Sequence, residues 1–357
     1  MSREAVAQTW SQGGYVFLQS AVSHLSTYVL TNGLSVIARL PLNLPIRPLP
    51  DGGFVGTGDT NHFVTKCDAQ GSIDPNFSAP PFDPGAGLVD VAGQQDGKIV
   101  IASSQFPFVT SYQGSGLFRL NTDGSHDESF HVIGTVLGQR VLVQPDGKIL
   151  VLTRGSVLRF LQDGSVDPNF SVPQFDNYCR DFGLQLDGKI IVEGDFSKVD
   201  GANRPWLVRL TPSGSVDFSF GPVTNPLGGF LRMALQSNGD IVVTQGVGVR
   251  RYLSDGRLDR RFTPPNSGER IEGVGVDQAD KIIYNYGNDS TFVLYSGRRR
   301  IRSSGASFDQ VLEQSSSVDV GSSWNLVKPV PANSTLEYLL PDSPGPSNAF
   351  FRLRSAQ

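Results

Sequence analysis

Side chains able to perform acid, base, nucleophilic or metal chemistry are present in this sequence, but their spacing matches no catalytic arrangement. The four histidines are His24, His62, His126 and His131, and no two of them stand at a spacing typical of metal ligands. The sequence contains no nucleophile elbow, no phosphate-binding Gly-Lys-Ser/Thr loop and no paired cysteine and histidine. We therefore expect no metal and no cofactor, and we favour a non-catalytic protein over an enzyme.

Aromatic residues next to polar residues indicate a binding surface instead. A flat apolar ring beside directional hydrogen-bonding groups suits a sugar ring or a protein partner. The predicted binding residues are Phe106, Tyr112, Phe175, Asp176, Tyr178, Arg180, Arg204 and Trp206. The alternative is that aromatic residues such as Phe106, Phe108 and Trp206 only attach a loop to the body of the protein.

Two motifs recur out of phase along the chain and define the elements that carry these loops. The first begins with Gly, followed by Asp three residues later and Phe six residues later; its copies start at Gly71, Gly124, Gly164, Gly214 and Gly256. The second reads Gln-x-Asp-Gly-Lys-Ile in its clearest form, with its Asp or Asn at Asp51, Asp96, Asp146, Asp187 and Asn238. A decayed copy has Ala279 in place of the glycine. Gly52 and Ala279 lie 227 residues apart over five intervals, a mean period of about 45 that is typical of β-propeller blades.

Each Asp-Gly of the second motif lies between two short apolar runs, such as 141–143 and 149–152. This arrangement predicts an antiparallel hairpin, because glycine reaches positive φ without steric cost. A third strand, such as 157–160, and a short fourth strand would complete each repeat. We predict an all-β fold: a β-propeller of about six or seven four-stranded blades, with a small C-terminal β-rich module. Length varies most between the second and third strands, at the opposite end of the blade from the Asp-Gly turns.

A basic residue stands five positions before every glycine of the first motif. We predict that it forms an ion pair with the motif aspartate, since an unpaired charge between stacked sheets would be costly. With the motif phenylalanine placed between blades, each pair would form a structural latch. The predicted pairs are Arg119 with Asp127, Arg159 with Asp167, Arg209 with Asp217, and Arg251 with Asp259. Calcium ligation is the less favoured alternative, because a calcium loop needs more converging oxygen atoms than this motif offers.

These motifs resemble the delta-60 repeat family, a bacterial β-propeller family of uncharacterised biochemical role. The stretch 192–217 is similar to a nearly complete unit of that family, and the resemblance covers about residues 46 to 305. The last fifty residues are similar to a short β-rich module at the C-terminal end of many secreted bacterial proteins, with Trp324 as its core residue. The resemblance implies a propeller and an extracellular or cell-surface location, and it implies no activity.

Three segments are predicted: residues 1–45, N-terminal strands that form a degenerate or closing blade; residues 46–306, the repeat propeller; and residues 307–357, the C-terminal module. The net charge of −4 and the pI of about 5.6 argue against nucleic acid as a partner. No apolar stretch approaches the length of a transmembrane helix, and the start of the chain lacks the apolar region of a signal peptide. Cys67 and Cys179 are about two blades apart, so we expect no disulfide between them.

The predicted function is a non-catalytic interaction module that binds a protein or glycan through the variable loops. One alternative is a structural spacer within a surface protein. A more distant alternative is a polysaccharide-active enzyme with paired carboxylates in the central channel.

Overall fold

The structure is a computed structural model, and its backbone is described for most of the repeat region and for the strands at both ends. The described residues are 6–12, 15–20, 27–31, 35–40, 43–57, 64–80, 88–103, 116–221, 223, 232–245, 248–260, 262, 271–276, 280, 282–286, 290–293, 300–304, 310–315, 325–330, 335–339 and 350–355. Side chains are described for a subset of these residues between Ile46 and Ile282.

The chain divides into two compact units, residues 1–40, 231–252 and 258–357 in the first and residues 41–230 and 253–257 in the second. The first unit begins with an antiparallel sheet in which strands follow chain order: β1 (Val6–Gln12), β2 (Tyr15–Ser20), β3 (Thr27–Thr31) and β4 (Ser35–Leu40). The predicted N-terminal strands are therefore present as one four-stranded sheet. The predicted domain boundaries at 45 and 306 stay a prediction.

The second unit contains four three-stranded antiparallel sheets and one inserted hairpin. Its strands are β5 (Asn43–Pro48), β6 (Phe54–Thr57), β7 (Thr65–Cys67), β8 (Leu88–Gly93), β9 (Ile99–Ser103), β10 (Leu117–Leu120), β11 (Arg140–Val143), β12 (Ile149–Leu152), β13 (Val157–Phe160), β14 (Cys179–Leu184), β15 (Ile190–Gly194), β16 (Lys198–Val199), β17 (Ala202–Asn203) and β18 (Leu207–Leu210). The sheets are β5-β6-β7, β8-β9-β10, β11-β12-β13 and β14-β15-β18. The β16–β17 hairpin lies between the second and third strands of the last sheet, where the sequence places its insertions.

The first unit continues with two further sheets of the same order and with the C-terminal strands. Its strands are β19 (Arg232–Leu235), β20 (Ile241–Gln245), β21 (Gly248–Tyr252), β22 (Ile271–Val276), β23 (Ile282–Tyr286), β24 (Ser290–Val293), β25 (Arg300–Ser304), β26 (Gln310–Ser315), β27 (Asn325–Val330), β28 (Thr335–Leu339) and β29 (Phe350–Ser355). The sheets are β19-β20-β21, β22-β23-β24, β25-β28 and β27-β26-β29. Trp324, the predicted core residue of the C-terminal module, lies outside the described residues.

The three-stranded meanders are propeller blades, and the all-β prediction is confirmed. The predicted fourth strand, however, is reduced to a single bridge in five described repeats: Cys67–Ile73, Leu120–His126, Phe160–Val166, Leu210–Val216 and Tyr252–Leu258. The motif aspartate explains the early end of the pairing. The backbone N–H of Asp127 donates to the Arg119 carbonyl at 2.9 Å, and the Asp127 carbonyl then accepts from the Phe130 N–H at 3.1 Å. This turn takes the chain away from β10 after one bridge.

The hairpins of the second motif use a three-residue loop. The Gly97 N–H donates to the Gln94 carbonyl at 3.0 Å, and the Gln94 N–H donates to the Lys98 carbonyl at 2.8 Å. Gly97 has a φ of 83°. This is a type I turn followed by a left-handed residue that forms a bulge, so only the glycine needs positive φ.

The core consists of apolar side chains at the faces between neighbouring sheets. Every residue of the central strands β9, β12 and β15 is buried, as expected for strands covered on both faces. One cluster joins Val100 and Leu117 of one blade to Val141 and Val151 of the next. Stacking of blades therefore supplies most of the burial of these short strands.

Candidate functional site

The basic residue and the aspartate of the first motif form an ion pair in every repeat for which both side chains are described. In four repeats the arginine Nε donates to the aspartate Oδ2 at 2.6–2.9 Å. These are Arg119–Asp127, Arg159–Asp167, Arg209–Asp217 and Arg251–Asp259. In the first repeat Lys66 replaces the arginine, and its Nζ lies 3.7 Å from Asp74.

The latch arginine also contacts the following repeat. Its Nη1 donates to the backbone carbonyl of the residue two positions before the first-motif glycine of the next repeat. The pairs are Arg119 with Gln162 at 2.5 Å, Arg159 with Pro212, and Arg209 with Ser254. The guanidinium carbon lies 4.6–5.1 Å from the ring centroid of the motif phenylalanine, within the range of a cation–π contact. One arginine thus connects a strand, a turn and the neighbouring blade.

In two repeats the glutamine of the second motif belongs to the same network, a role that was not predicted from the sequence. Gln94, Gln144, Gln185 and Gln236 are all buried. The Oε1 atom of Gln94 accepts from Arg119 Nη1 at 3.3 Å, and Gln236 accepts from Arg251 at 3.4 Å. The signal was present in the sequence, because a glutamine that recurs directly after an apolar run indicates a buried polar partner.

Asp127 shows how completely a latch carboxylate is satisfied. Its Oδ2 accepts from Arg119 Nε at 2.6 Å and from Lys98 Nζ at 2.8 Å. Its Oδ1 accepts from the N–H and the hydroxyl of Ser129 at 3.0 and 2.6 Å. Desolvation alone would raise the pKa of Asp127, but the hydrogen bonds from Lys98, Ser129 and the latch arginine outweigh it and hold the pKa well below its usual value. Both oxygens are engaged in ways that favour the charged carboxylate.

We expect the protein to lose stability in acid through this carboxylate. Because the pKa of Asp127 is lower in the folded chain than the usual value of about 3.9, its contribution is complete above that value and is lost as the pH falls towards the folded pKa. The stability difference between the wild type and Asp127→Asn should therefore be largest above about pH 5 and shrink towards pH 3. Urea unfolding at several pH values measures it, and a difference independent of pH would contradict the assignment.

A second charged network joins the first strands of the four blades of the second unit. Arg47 Nη2 lies 2.6 Å from Asp90, and Asp90 Oδ2 also accepts from Arg140 Nε at 3.2 Å and from the Val141 N–H at 3.0 Å. Arg140 Nη1 lies 2.9 Å from Asp181. This network was not predicted from the sequence. Its signal was a charged residue six positions before the aspartate of the second motif in three successive repeats.

The charges of this network compensate each other inside the protein. Burial lowers the pKa of Arg47 to about 9, although Asp90 acts in the opposite direction. Burial also acts to lower the pKa of Arg140, but Asp181 and Asp90 outweigh it and the net shift is upward. Both arginines are therefore protonated at neutral pH, and Asp90 and Asp181 are each paired with a cation.

The loop end of the β14-β15-β18 blade presents the aromatic and charged residues that we call the Tyr178 surface: Arg154, Tyr178, Arg180, Asp195 and Lys198. Tyr178 is 53% exposed. The Arg180 guanidinium binds Asp195 through two contacts, Nε to Oδ1 at 2.9 Å and Nη2 to Oδ2 at 2.6 Å. The Arg154 guanidinium carbon lies 5.9 Å from the centroid of the Tyr178 ring. Arg154 belongs to the turn between β12 and β13, so the surface extends over two blades.

Backbone hydrogen bonds hold Tyr178 on both sides. The Asp195 N–H donates to the Tyr178 carbonyl at 2.7 Å, and the Cys179 N–H donates to the Arg154 carbonyl at 2.8 Å. Gly194 allows this close approach, because a Cβ at Gly194 would overlap the Tyr178 carbonyl oxygen. The ring is thus carried by a backbone that is hydrogen-bonded on both sides.

Two predicted binding residues have structural roles. Phe175 is partly buried and packs against the core, with its ring centroid 4.7 Å from that of Phe196. Asp176 holds the start of the β16–β17 hairpin: its carboxylate accepts from the Ser197 N–H at 2.8 Å, the Ser197 hydroxyl at 2.6 Å and the Lys198 N–H at 2.9 Å. Desolvation acts to raise the pKa of Asp176, but these hydrogen bonds outweigh it and lower the pKa. Asp176 therefore organises the surface without offering a free carboxylate.

The other predicted binding residues fall into two groups. Trp206 and Arg204 are half-buried in the connection that leads into β18. Trp206 has a φ of 68° within a tight turn closed by the Leu207 N–H and the Pro205 carbonyl at 2.8 Å, a conformation that bulky residues rarely adopt. The Arg204 guanidinium stacks on the exposed ring of Phe218, 5.0 Å from its centroid. Phe106 and Tyr112 lie outside the described residues.

Chemically reactive groups are sparse in the described part of the chain. Cys67 and Cys179 are buried free thiols, and desolvation raises the pKa of Cys67 to about 11 and that of Cys179 further still. His126 lies in an exposed turn 3.4 Å from Glu128. Among the described residues, no three His, Cys, Asp or Glu side chains are grouped in a way that could hold a metal ion.

Membrane insertion through a helix has no support in the described ranges, which contain no helix long and apolar enough to cross a bilayer.

Comparison with known proteins supports a propeller-repeat protein. A family described as a domain of unknown function (DUF5122) beta-propeller matches residues 94–130, 144–170 and 185–220. Each matched range contains both residues of one latch ion pair, with the aspartate at Asp127, Asp167 or Asp217. No curated protein matches the sequence. The name delta-60 and the C-terminal module stay predictions.

Solved structures show the same fold at low sequence identity. A streptogramin B lyase is 13% identical over 80% of this chain and 91% of its own, with a TM-score of 0.57. Virginiamycin B lyase from Staphylococcus aureus is 12% identical over 81% of this chain and 94% of its own, also with a TM-score of 0.57. The WD40 beta propeller domain of Doa1 is 14% identical over 80% and 90%, with a TM-score of 0.50. These likenesses show a β-propeller and carry no activity to this chain.

Proposed function

We propose that this protein is a non-catalytic propeller module that binds a saccharide through the Tyr178 surface, and that it acts outside the cell or at the cell surface. The observation that carries the proposal is the half-exposed Tyr178 ring, held by backbone hydrogen bonds and bordered by guanidinium groups. An aromatic face covers the C–H groups of a sugar ring, while the neighbouring nitrogen donors can reach its oxygens.

A saccharide fits this surface better than a protein does. A stable protein interface needs roughly 1,200 Å² or more of buried area with a hydrophobic centre. The residues around Tyr178 are polar or charged: Asn177, Arg180, Asp195 and Lys198. One flat ring in polar surroundings matches the footprint of one or two sugar units.

Titration calorimetry of the full chain with a panel of oligosaccharides tests the proposal. We expect Tyr178→Ala to weaken binding of any saccharide ligand by about tenfold or more, because the stacking face is lost, while the unfolding temperature changes little. Leu186→Ser is the matched control, since Leu186 is 90% exposed beside an Asp-Gly turn at the other end of the same blade. If no saccharide binds, or if both variants bind equally well, the proposal is wrong and a spacer role becomes the better explanation.

A further inference from the structure

The cations of the Tyr178 surface differ in whether they have a carboxylate partner. Arg180 is paired with Asp195. Arg154 and Lys198 are exposed, and neither forms an ion pair or a side-chain hydrogen bond with any residue in the described ranges.

The nearby carboxylates are already engaged. Asp195 is bound by Arg180, and Asp176 by Ser197 and Lys198 backbone and hydroxyl groups. The Asp200 carboxylate accepts from the Gln174 N–H at 2.9 Å. These contacts hold the acidic groups in place, while the Arg154 and Lys198 side chains keep their donors for a ligand.

From this arrangement we infer that the ligand is an acidic saccharide whose carboxylate is bound by Arg154 while its sugar ring stacks on Tyr178. This inference rests on the proposed function and specifies its ligand class. The planar guanidinium matches a carboxylate through two parallel hydrogen bonds. Arg154 is the residue that determines specificity for the acid, and Lys198 adds an attraction that salt screens.

The two groups are close enough for one sugar unit to contact both. The Arg154 guanidinium carbon lies over the Tyr178 ring, 5.9 Å from its centroid, at the outer limit of a cation–π contact. A uronic acid unit would satisfy both contacts at once. The hydrogen bond from the Cys179 N–H to the Arg154 carbonyl holds the two backbone segments next to each other.

The test compares an oligogalacturonide with its methyl-esterified, uncharged form by calorimetry at two salt concentrations. We expect the full chain to bind the acid at least tenfold more tightly than the ester, and Arg154→Gln to remove most of that preference. Raising the salt concentration should weaken binding of the acid and leave the ester unaffected. Arg257→Gln is the matched control, because Arg257 is 75% exposed at a turn of the first motif and lies away from Tyr178 in the sequence.

Each other outcome overturns a defined part of the inference. Equal binding of acid and ester, both lost in Tyr178→Ala, would refute the acidic ligand and leave the proposed saccharide function intact. The assignment of the ligand as a uronate would be refuted if the chain bound poly-glutamate or a sulfated oligosaccharide through Arg154 and did not bind the oligogalacturonide. If Tyr178→Phe, which keeps the ring face, binds as poorly as Tyr178→Ala, stacking is refuted. Absence of saccharide binding would refute both proposals.

Discussion

Gly214→Ala should destabilise the protein by about 2–5 kcal/mol, the sum of backbone strain and steric overlap. Gly214 has a φ of 90°, where an alanine costs about 1–2 kcal/mol. Its Cβ would also overlap the Ser171 carbonyl oxygen of the preceding repeat. Relief of that overlap would displace Ser171, whose N–H donates to the Ser213 carbonyl at 2.7 Å.

Gly134→Ala separates these two effects. Gly134 has a φ of 88°, but nothing lies within 4 Å of the position that its Cβ would take. The free energy of unfolding of this variant should therefore fall only by the backbone strain, about 1–2 kcal/mol. The measurement is urea unfolding followed by tryptophan fluorescence. Equal losses in the two variants would show that the blades do not meet at the motif glycine.

Arg159→Ala should cost about 3–5 kcal/mol, because it leaves a buried carboxylate without its cation. Arg159 and Asp167 are 7% and 2% exposed. The substitution also removes the bond to the Pro212 carbonyl in the next repeat and the contact with the Phe170 ring, whose centroid lies 4.6 Å from the guanidinium carbon. Urea unfolding of the variant and the wild type measures the loss.

An exposed ion pair is the control for this prediction. Arg257 lies 2.7 Å from Asp255, but the two side chains are 75% and 44% exposed. We expect Arg257→Ala to cost at most about 1 kcal/mol. Replacing both latch residues, Arg159→Met with Asp167→Leu, should recover part of the loss, since no unpaired charge remains. A double variant less stable than Arg159→Ala would show that the ion pair is worth more than its desolvation cost.

The latch pairing could be predicted from the sequence because its partners are close along the chain. Arg119 and Asp127 are eight residues apart, on two segments joined by one turn. Because one tight turn separates the two segments, the spacing along the chain is enough to place the arginine opposite the aspartate. The extension of the latch could not be predicted in the same way, since the Gln162 carbonyl that Arg119 reaches is 43 residues further along the chain.

The candidate surface was predicted only in part, for the same reason. Tyr178 and Arg180 were selected as neighbours in sequence, and they stand together on the surface. Arg154 was missed because it comes from the preceding blade. Phe175 and Asp176 stay predicted binding residues, and the structure adds their contacts with Phe196 and Ser197, which the sequence does not show.

The sequence by itself determined the all-β repeat, its period, the turns that need glycine and the identity of the latch partners. All of these depend on contacts within one repeat, where spacing along the chain limits the geometry. The tertiary structure decided that the fourth strand is a single bridge, that Arg47, Asp90, Arg140 and Asp181 form one buried network, and that Arg154 lies beside Tyr178. These features arise where separate blades stack, and stacking depends on how the apolar faces of neighbouring sheets fit together in three dimensions.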